Sequence, residues 1–235
     1  DDEHIKFSEN FGTLELTKVG TDGSGSKLII LRSFDENGNI VSPTDRQRLN
    51  NLANQEWHSD SSFKKIPSKM SILSAKMIPS LGGNTEFLSM RASYNALPQE
   101  LKLKIDDKIC WHDYSHGRSK IDPNLVTPEE KQALPPVKQK VVLSDNKHGK
   151  SLYLGAHCRN VDGMSENDSN ALLAEINSYI DTEKFIYSHV WEPFDLIMWD
   201  NRAVLHRATP IKGKIEKRLM VRTTVAGQTS TTNEY

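Results

Sequence analysis

Short apolar runs alternate with polar turns along the chain, and this pattern predicts a fold rich in β-strands. Residues 27–31 and 70–77 are apolar runs with partial alternation, which is typical of strands in a half-buried sheet. The same reasoning predicts further strands at 137–144, 151–156, 185–191, 195–199 and 218–225. Turn-forming residues separate the strands, as in Gly82-Gly83-Asn84 and in the segment 145–150.

Capping residues predict several helices between these strands. Ser89 begins a short helix that reaches Leu97, and Thr127 begins another with proline in its first turn and glutamate at its third position. Ser165 begins the longest helix, residues 166–180, whose apolar residues fall on one face. A mostly β chain with flanking helices favours a double-stranded β-helix, or jelly roll. That fold brings inward-facing residues of distant strands around one cavity.

Two segments carry the candidate chemistry, Trp57-His58-Ser59-Asp60 and Trp199 to His206. In an extended segment, residues i and i+2 point to the same side, so His58 and Asp60 can both face one ion. His206 would supply a third ligand from a distant strand. Two histidines and one carboxylate, with the remaining positions open, form the ligand set of non-heme Fe(II) oxygenases. The residues therefore predict a metal site of this kind.

Each part of this constellation also has an ordinary structural explanation. A histidine and an aspartate two residues apart often occur together by chance, and a histidine in an apolar strand is often a hydrogen-bonded core residue.

Arg218 and Arg222 strengthen the functional interpretation, because a spacing of four places both on one face of a strand. Two inward arginines could bind two acids. The alternative is a pair of cations on a solvated strand.

Taken together, four motifs resemble one known family. The motifs are WHSD at 57–60, GGNTEF at 82–87, WDNRAVLHR at 199–207 and RLMVRTT at 218–224. In this order they resemble the taurine dioxygenase/2,4-dichlorophenoxyacetate dioxygenase group of Fe(II)- and 2-oxoglutarate-dependent enzymes. Residues 51–63 and 151–157 are more similar to the dichlorophenoxyacetate branch.

This resemblance implies a jelly-roll oxygenase core, a set of cofactors and a role for each motif residue. Fe(II), 2-oxoglutarate as co-substrate and O₂ are the implied cofactors. The implied metal ligands are His58, Asp60 and His206. Thr85 and Arg218 match the residues that bind the far carboxylate of 2-oxoglutarate. Arg222 matches the arginine that pairs with the acid group of the primary substrate, and Asn54 matches a residue that lines the substrate pocket.

Three functions stay open at this stage. The first is hydroxylation of an anionic small molecule such as an aryloxyalkanoate-like carboxylate, with ether cleavage where the attacked carbon bears an ether oxygen. The second is a taurine or alkylsulfonate dioxygenase, in which Arg222 would pair with a sulfonate. The third is a jelly-roll metal-binding domain without catalytic turnover.

Length and composition agree with a single dioxygenase domain over residues 1–235. The first residues match positions well inside the domain of relatives, so the family's N-terminal strand and helix are expected to be missing. A net charge of −1 argues against nucleic acid or an anionic membrane as partners. No apolar stretch is long enough to span a membrane.

The cysteines and the remaining histidines complete the sequence-based predictions. The two cysteines, Cys110 and Cys158, are expected to be buried apolar thiols of a cytoplasmic protein, because they make no disulfide framework. Homo-oligomer formation is left open. So is a place in the pocket wall for His112, His116, His157 and His189.

Overall fold

The computed structural model describes residues 1–17, 24–180, 183–213 and 216–233. The α-helices are α1 Asp2–Glu9, α2 Arg46–Ala53, α3 Met90–Ala96, α4 Gln99–Ile105, α5 Tyr114–Ser119, α6 Pro128–Ala133 and α7 Glu166–Ile180. The β-strands are β1 Ile29–Arg32, β2 Met70–Met77, β3 Thr85–Ser89, β4 Ile109–His112, β5 Val137–Lys140, β6 Val142–Asp145, β7 Gly149–Leu152, β8 Cys158–Val161, β9 Ile186–His189, β10 Leu196–Asp200, β11 Val204–Ala208 and β12 Leu219–Val225. Short 3₁₀ helices cover Glu183–Phe185 and Thr231–Asn233.

Two antiparallel sheets form the core of the fold. The larger has the strand order β1-β12-β2-β10, and the smaller has the order β11-β3-β9. Leu73, Trp199 and Met220 from the larger sheet share one buried cluster with Phe87 from the smaller sheet. The two sheets therefore face each other across an apolar layer, as in a jelly roll, and the predicted fold class is confirmed.

The helices cover one side of the smaller sheet. Leu88, next to Phe87 on β3, points to the opposite face and packs beneath the helices. On α7, Leu172, Ile176 and Ile180 are buried at a spacing of four, so one apolar stripe of the helix faces this cluster. None of the described helices is long and apolar enough to cross a membrane.

Local sequence signals set several element boundaries as predicted. The Ser89 hydroxyl accepts a hydrogen bond from the Ala92 N–H at the start of α3. Thr127 and Glu130 form a complete capping box at the start of α6. The helix predicted over 166–180 is α7.

The strand predicted over 137–144 is wrong as one continuous element. Its chain leaves one sheet at Val141 and joins another, so it divides into β5 and β6. The Val141 N–H donates to the Lys108 carbonyl, while the Val141 carbonyl accepts from the Tyr153 N–H. No glycine, proline or asparagine separates the two halves, so the sequence gives no local signal of this switch of partners.

The prediction for the two cysteines is wrong in one respect. Cys110 and Cys158 are buried as expected, but they form a disulfide between the neighbouring strands β4 and β8. The residues are 48 apart in sequence, so only the strand pairing brings them together. With two cysteines in the chain, their spacing alone gives no signal of this contact.

Candidate active site

The backbone brings His58 and His206 side by side. The His58 N–H donates to the His206 carbonyl at 3.1 Å, and the His206 N–H donates to the His58 carbonyl at 2.9 Å. This isolated antiparallel bridge links the segment before β2 to the middle of β11 and places the two rings 4.2 Å apart. His58 therefore lies in a bridge and not in the extended strand that the HxD spacing suggested.

Asp60 completes a compact group with the two histidines. Its Oδ2 lies 3.5 Å from His206 Nε2, and its Oδ1 lies 4.0 Å from His58 Nε2. Donor atoms that each lie about 2.1 Å from one first-row ion are roughly 3 Å apart when their bonds meet at right angles. The observed spacing therefore fits one shared ion after a small side-chain adjustment. All three residues are buried.

A polar network holds Asp60 in its ionised form. Its Oδ2 accepts from the Ser71 hydroxyl at 2.6 Å, and its Oδ1 pairs with Arg222 Nη1 at 2.5 Å. The Asn201 amide donates to Ser71 and Ser68, which fixes the Ser71 hydroxyl. Burial opposes ionisation, but the Arg222 guanidinium and the hydrogen bond from Ser71 outweigh it, so the pKa of Asp60 lies below its ordinary value. Ser71 and Asn201 were not identified from the sequence.

The histidines are neutral and one tautomer is fixed. His58 Nδ1 donates to the Glu56 carbonyl at 2.8 Å, which leaves the Nε2 lone pair directed toward Asp60. Burial lowers the pKa of both His58 and His206. Neutral imidazole is the form that binds a metal, so the electrostatics of the site fit a cation bound by all three side chains.

A cavity of about 200 Å³ beside this group contains the second predicted pair, Thr85 and Arg218. His58 and His206 line the same cavity. The Thr85 hydroxyl accepts from Trp191 Nε1 at 3.1 Å, and Arg218 Nε donates to the Gly83 carbonyl at 3.0 Å.

The turn before Thr85 requires its glycines. Gly82 and Gly83 have φ values of +78° and +69°, and a Cβ on Gly82 would lie 2.4 Å from the Pro210 carbonyl oxygen. This left-handed turn directs the Gly83 carbonyl to the Arg218 side chain.

Arg218 is a desolvated cation without an acid partner among the described residues. Burial lowers the pKa of its guanidinium to about 10, still far above neutral pH. A buried charge is costly unless a counter-charge compensates it. The position next to the metal-ligand group therefore suits an anion that enters this cavity.

Arg222 and Asn54 line both this cavity and a neighbouring one of about 270 Å³. Asn54 caps the C-terminus of α2, and its carbonyl accepts from the Ala208 N–H on β11. Arg222 is bound to Asp60, a contact that the sequence does not reveal. The sequence placed Arg218 and Arg222 on one strand, but β12 begins at Leu219, after Arg218.

The larger cavity has a mixed polar and apolar wall. Its apolar part includes Ile29, Leu31 and Phe63, and its polar part includes His157 and Arg118. His157 is buried with Nδ1 unpartnered, and burial lowers its pKa well below the ordinary value. Arg118 was missed in the sequence, because its helix α5 follows no catalytic motif.

The other histidines lie elsewhere. His112 is fully buried against the Tyr153 ring, and His189 pairs with Asp195 at 2.9 Å. His116 lines a separate surface depression. None of the three lines either cavity described above.

Comparison with known proteins identifies the family. The family model described as "Taurine catabolism dioxygenase TauD, TfdA family" matches residues 1–224. An alpha-ketoglutarate-dependent 2,4-dichlorophenoxyacetate dioxygenase from Cupriavidus pinatubonensis is 37% identical over 212 residues, which cover 88% of this chain and 74% of that protein. A protein of the same description from Burkholderia sp. is 36% identical over 212 residues, covering 88% and 71%.

The fold comparison agrees. The crystal structure of AAD-2 in complex with Mn(II) and N-oxalylglycine superposes with a TM-score of 0.89 and 38% identity, and the match covers 99% of this chain and 82% of that chain. The resemblance inferred from the four motifs is confirmed. The chain belongs to the taurine catabolism dioxygenase TauD, TfdA family, and it is an oxidoreductase of the dioxygenase class.

Proposed function

We propose that this dioxygenase uses Fe(II), 2-oxoglutarate and O₂ to hydroxylate a small carboxylate of the aryloxyalkanoate type. One observation carries the proposal. A group of two neutral histidines and an ionised aspartate lies beside a cavity that contains Arg218, a partly buried guanidinium with no acid partner in the described part of the chain. Such a site suits a metal ion together with an anionic co-substrate.

His58, Asp60 and His206 would hold Fe(II). The hydrogen bond from His58 Nδ1 to the Glu56 carbonyl leaves Nε2 free to bind metal, and Ser71 orients the Asp60 carboxylate. When bound, iron and 2-oxoglutarate supply the oxidising chemistry, in which O₂, co-substrate and substrate become succinate, carbon dioxide and a hydroxylated product. The protein contributes binding, orientation and exclusion of water.

Thr85 and Arg218 would bind the far carboxylate of 2-oxoglutarate. Arg218 offers its guanidinium Nη groups while Nε stays bound to the Gly83 carbonyl. Thr85 Oγ1 accepts from Trp191, so its hydroxyl hydrogen remains available to an anion. The co-substrate would thereby compensate the charge of the partly buried Arg218.

Arg222 and Asn54 would contribute to the substrate side, because both line the larger cavity as well as the smaller one. The names of the relatives support a carboxylate, since they describe dioxygenases of 2,4-dichlorophenoxyacetate and of (S)-phenoxypropionate. Hydroxylation of the carbon between an aryl ether oxygen and a carboxylate gives a hemiacetal, which breaks down with cleavage of the ether. A sulfonate substrate is the alternative that the same cations would also suit.

Three further properties belong to the proposal. Residues 1–235 form one domain, the enzyme works in the cytoplasm, and it can form homo-oligomers. In a reducing compartment Cys110 and Cys158 would be present as thiols and not as the disulfide seen in the fold.

Succinate release tests this function directly. The purified protein is supplied with Fe(II), 2-oxoglutarate and O₂, and succinate is measured with phenoxyacetate, hexanoate or taurine. We expect one of the two carboxylates to stimulate release and the variant His206→Ala to abolish it. Release with taurine alone would assign the chain to the sulfonate alternative. Metal binding without succinate from any compound would support a non-catalytic domain.

A further inference from the structure

Arg118 is held against the wall of the larger cavity by its own helix. Gly117 permits α5 to approach the chain closely, because a Cβ there would lie 2.7 Å from the Ala156 carbonyl oxygen. The Arg118 guanidinium lies 4.2 Å from the centre of the Tyr114 ring, and its Nε donates to Asn50 Oδ1 at 3.2 Å. These contacts orient the side chain but provide no negative charge.

The other cations around this cavity are paired with acids. Lys64 binds Glu15 at 2.6 Å, and Arg46 binds Glu130 at 2.5 Å. Arg222 binds Asp60 at 2.5 Å. By contrast, Arg118 forms no salt bridge with any acid of the ranges that the structure describes. It is therefore the cation of this wall whose charge is left for a ligand.

Burial makes this unpaired charge costly. Desolvation lowers the pKa of Arg118 and Arg222 adds to the lowering, although the more distant charges of Glu130 and Asp60 partly oppose it. A carboxylate from outside the chain would compensate both effects, and an arginine fork binds a carboxylate through two parallel hydrogen bonds. Arg222 is less suited to do this alone, because one of its Nη groups is committed to the carboxylate of a proposed metal ligand.

We propose that Arg118 is the main anchor for the carboxylate of the primary substrate, with Arg222 as its neighbour, while the substrate's apolar body lies against Ile29, Leu31 and Phe63. All of these side chains line the one cavity that also contains His58 and Asp60. The inference rests on the proposed function and deepens it, since it names the residue that selects an acid.

Binding of an acid and its neutral analogue tests the anchor without turnover. The protein is loaded with Mn(II) and N-oxalylglycine, and phenoxyacetate and phenoxyacetamide are titrated by calorimetry. We expect the wild type to prefer the acid by roughly 10- to 150-fold, the range for a charged hydrogen bond. Arg118→Gln should reduce that preference to below about threefold, and Arg118→Lys should retain part of it as a point charge.

Lys64→Gln is the matched control, because it removes a cation of the same wall that already has an acid partner. It should keep the wild-type preference. If Arg118 has only a structural role, Arg118→Gln would weaken the binding of phenoxyacetate and of phenoxyacetamide equally. An unchanged ratio of the two affinities would overturn the proposal. If Arg118→Gln fails to fold, Arg118→Lys provides the test. A partial loss of the preference for phenoxyacetate supports the proposal, and an unchanged preference overturns it.

The two proposals fail differently. If the wild type binds neither phenoxyacetate nor hexanoate, the carboxylate substrate class is wrong and the anchor is wrong with it. If the wild type prefers acids and Arg118→Gln retains that preference, only the anchor is wrong.

Discussion

Arg218 is expected to bind the far carboxylate of 2-oxoglutarate, and its replacement by methionine isolates that contribution. Within the described residues, the guanidinium donates a hydrogen bond from Nε to the Gly83 carbonyl at 3.0 Å and forms no salt bridge with an acid. A charged hydrogen bond contributes about 1.5–3 kcal/mol, which corresponds to ~10- to 150-fold in affinity. Arg218→Met should weaken 2-oxoglutarate binding by that factor.

The same substitution should have little effect on the ligand-free fold. It removes one hydrogen bond to a neutral carbonyl, worth about 0.5–1.5 kcal/mol, but it also removes a desolvated cation. These terms oppose each other, so the free energy of unfolding should change by less than about 1 kcal/mol. At 100 times the wild-type Kd, 2-oxoglutarate should stabilise the wild type by about 2.7 kcal/mol and the variant by only about 0.3–1.4 kcal/mol.

Calorimetric titration of the Mn(II)-loaded protein without oxygen gives the affinity, and urea denaturation with and without 2-oxoglutarate gives the stability. Arg207→Met is the matched control. Arg207 follows His206 on the same strand but pairs with Glu86 at 2.8 Å and lines neither cavity. Binding by Arg218→Met within twofold of the wild type, or an equal loss in the control, would refute the assignment.

Three further predictions concern the scaffold around the site. Burial lowers the pKa of His112 to about 3, so the folded metal-free protein resists protonation that the unfolded chain accepts below about pH 6.5. His112 should therefore lower the free energy of unfolding as pH falls from 6.5 toward 3, by up to about 1.4 kcal/mol per pH unit. His112→Phe should make the urea-denaturation midpoint depend less on pH over that range. Reduction of the disulfide between Cys110 and Cys158 should lower the free energy of unfolding by about 2–4 kcal/mol, measured with and without dithiothreitol. Gly155→Ala should lower Mn(II) affinity, because the new Cβ would lie 2.9 Å from a backbone oxygen of the segment that carries the first metal ligand. Gly163→Ala, with a similarly positive φ but no atom within 4 Å of the Cβ, should leave that affinity unchanged.

The sequence was sufficient to predict the features that depend on local residue patterns and on motif spacing. Ser89 and Thr127 cap the helices that their side chains predict, and the 166–180 helix follows its apolar stripe. The jelly roll followed from many strands with helices on one side. His58 and His206 could be expected to meet because that fold joins distant strands, and their backbones do form a bridge.

The sequence could not predict contacts that depend on which distant group happens to lie nearby. The pairing of Arg222 with Asp60 spans 162 positions, and a substrate arginine and a carboxylate-bound arginine look alike in a motif. Arg118 was missed for the opposite reason. Its importance lies in the lack of an acid partner, and that depends on every neighbour in the folded cavity. The disulfide likewise depends on the pairing of β4 with β8.

A crystal structure of this protein with Mn(II) and N-oxalylglycine tests the central claim most directly. The account predicts one metal ion bound by His58 Nε2, by a carboxylate oxygen of Asp60 and by His206, each at about 2.0–2.3 Å by analogy with other first-row ions. It also predicts the far carboxylate of N-oxalylglycine on Arg218 and Thr85. A metal held by other residues, or that carboxylate bound elsewhere while Arg218 stays unpaired, would contradict the account.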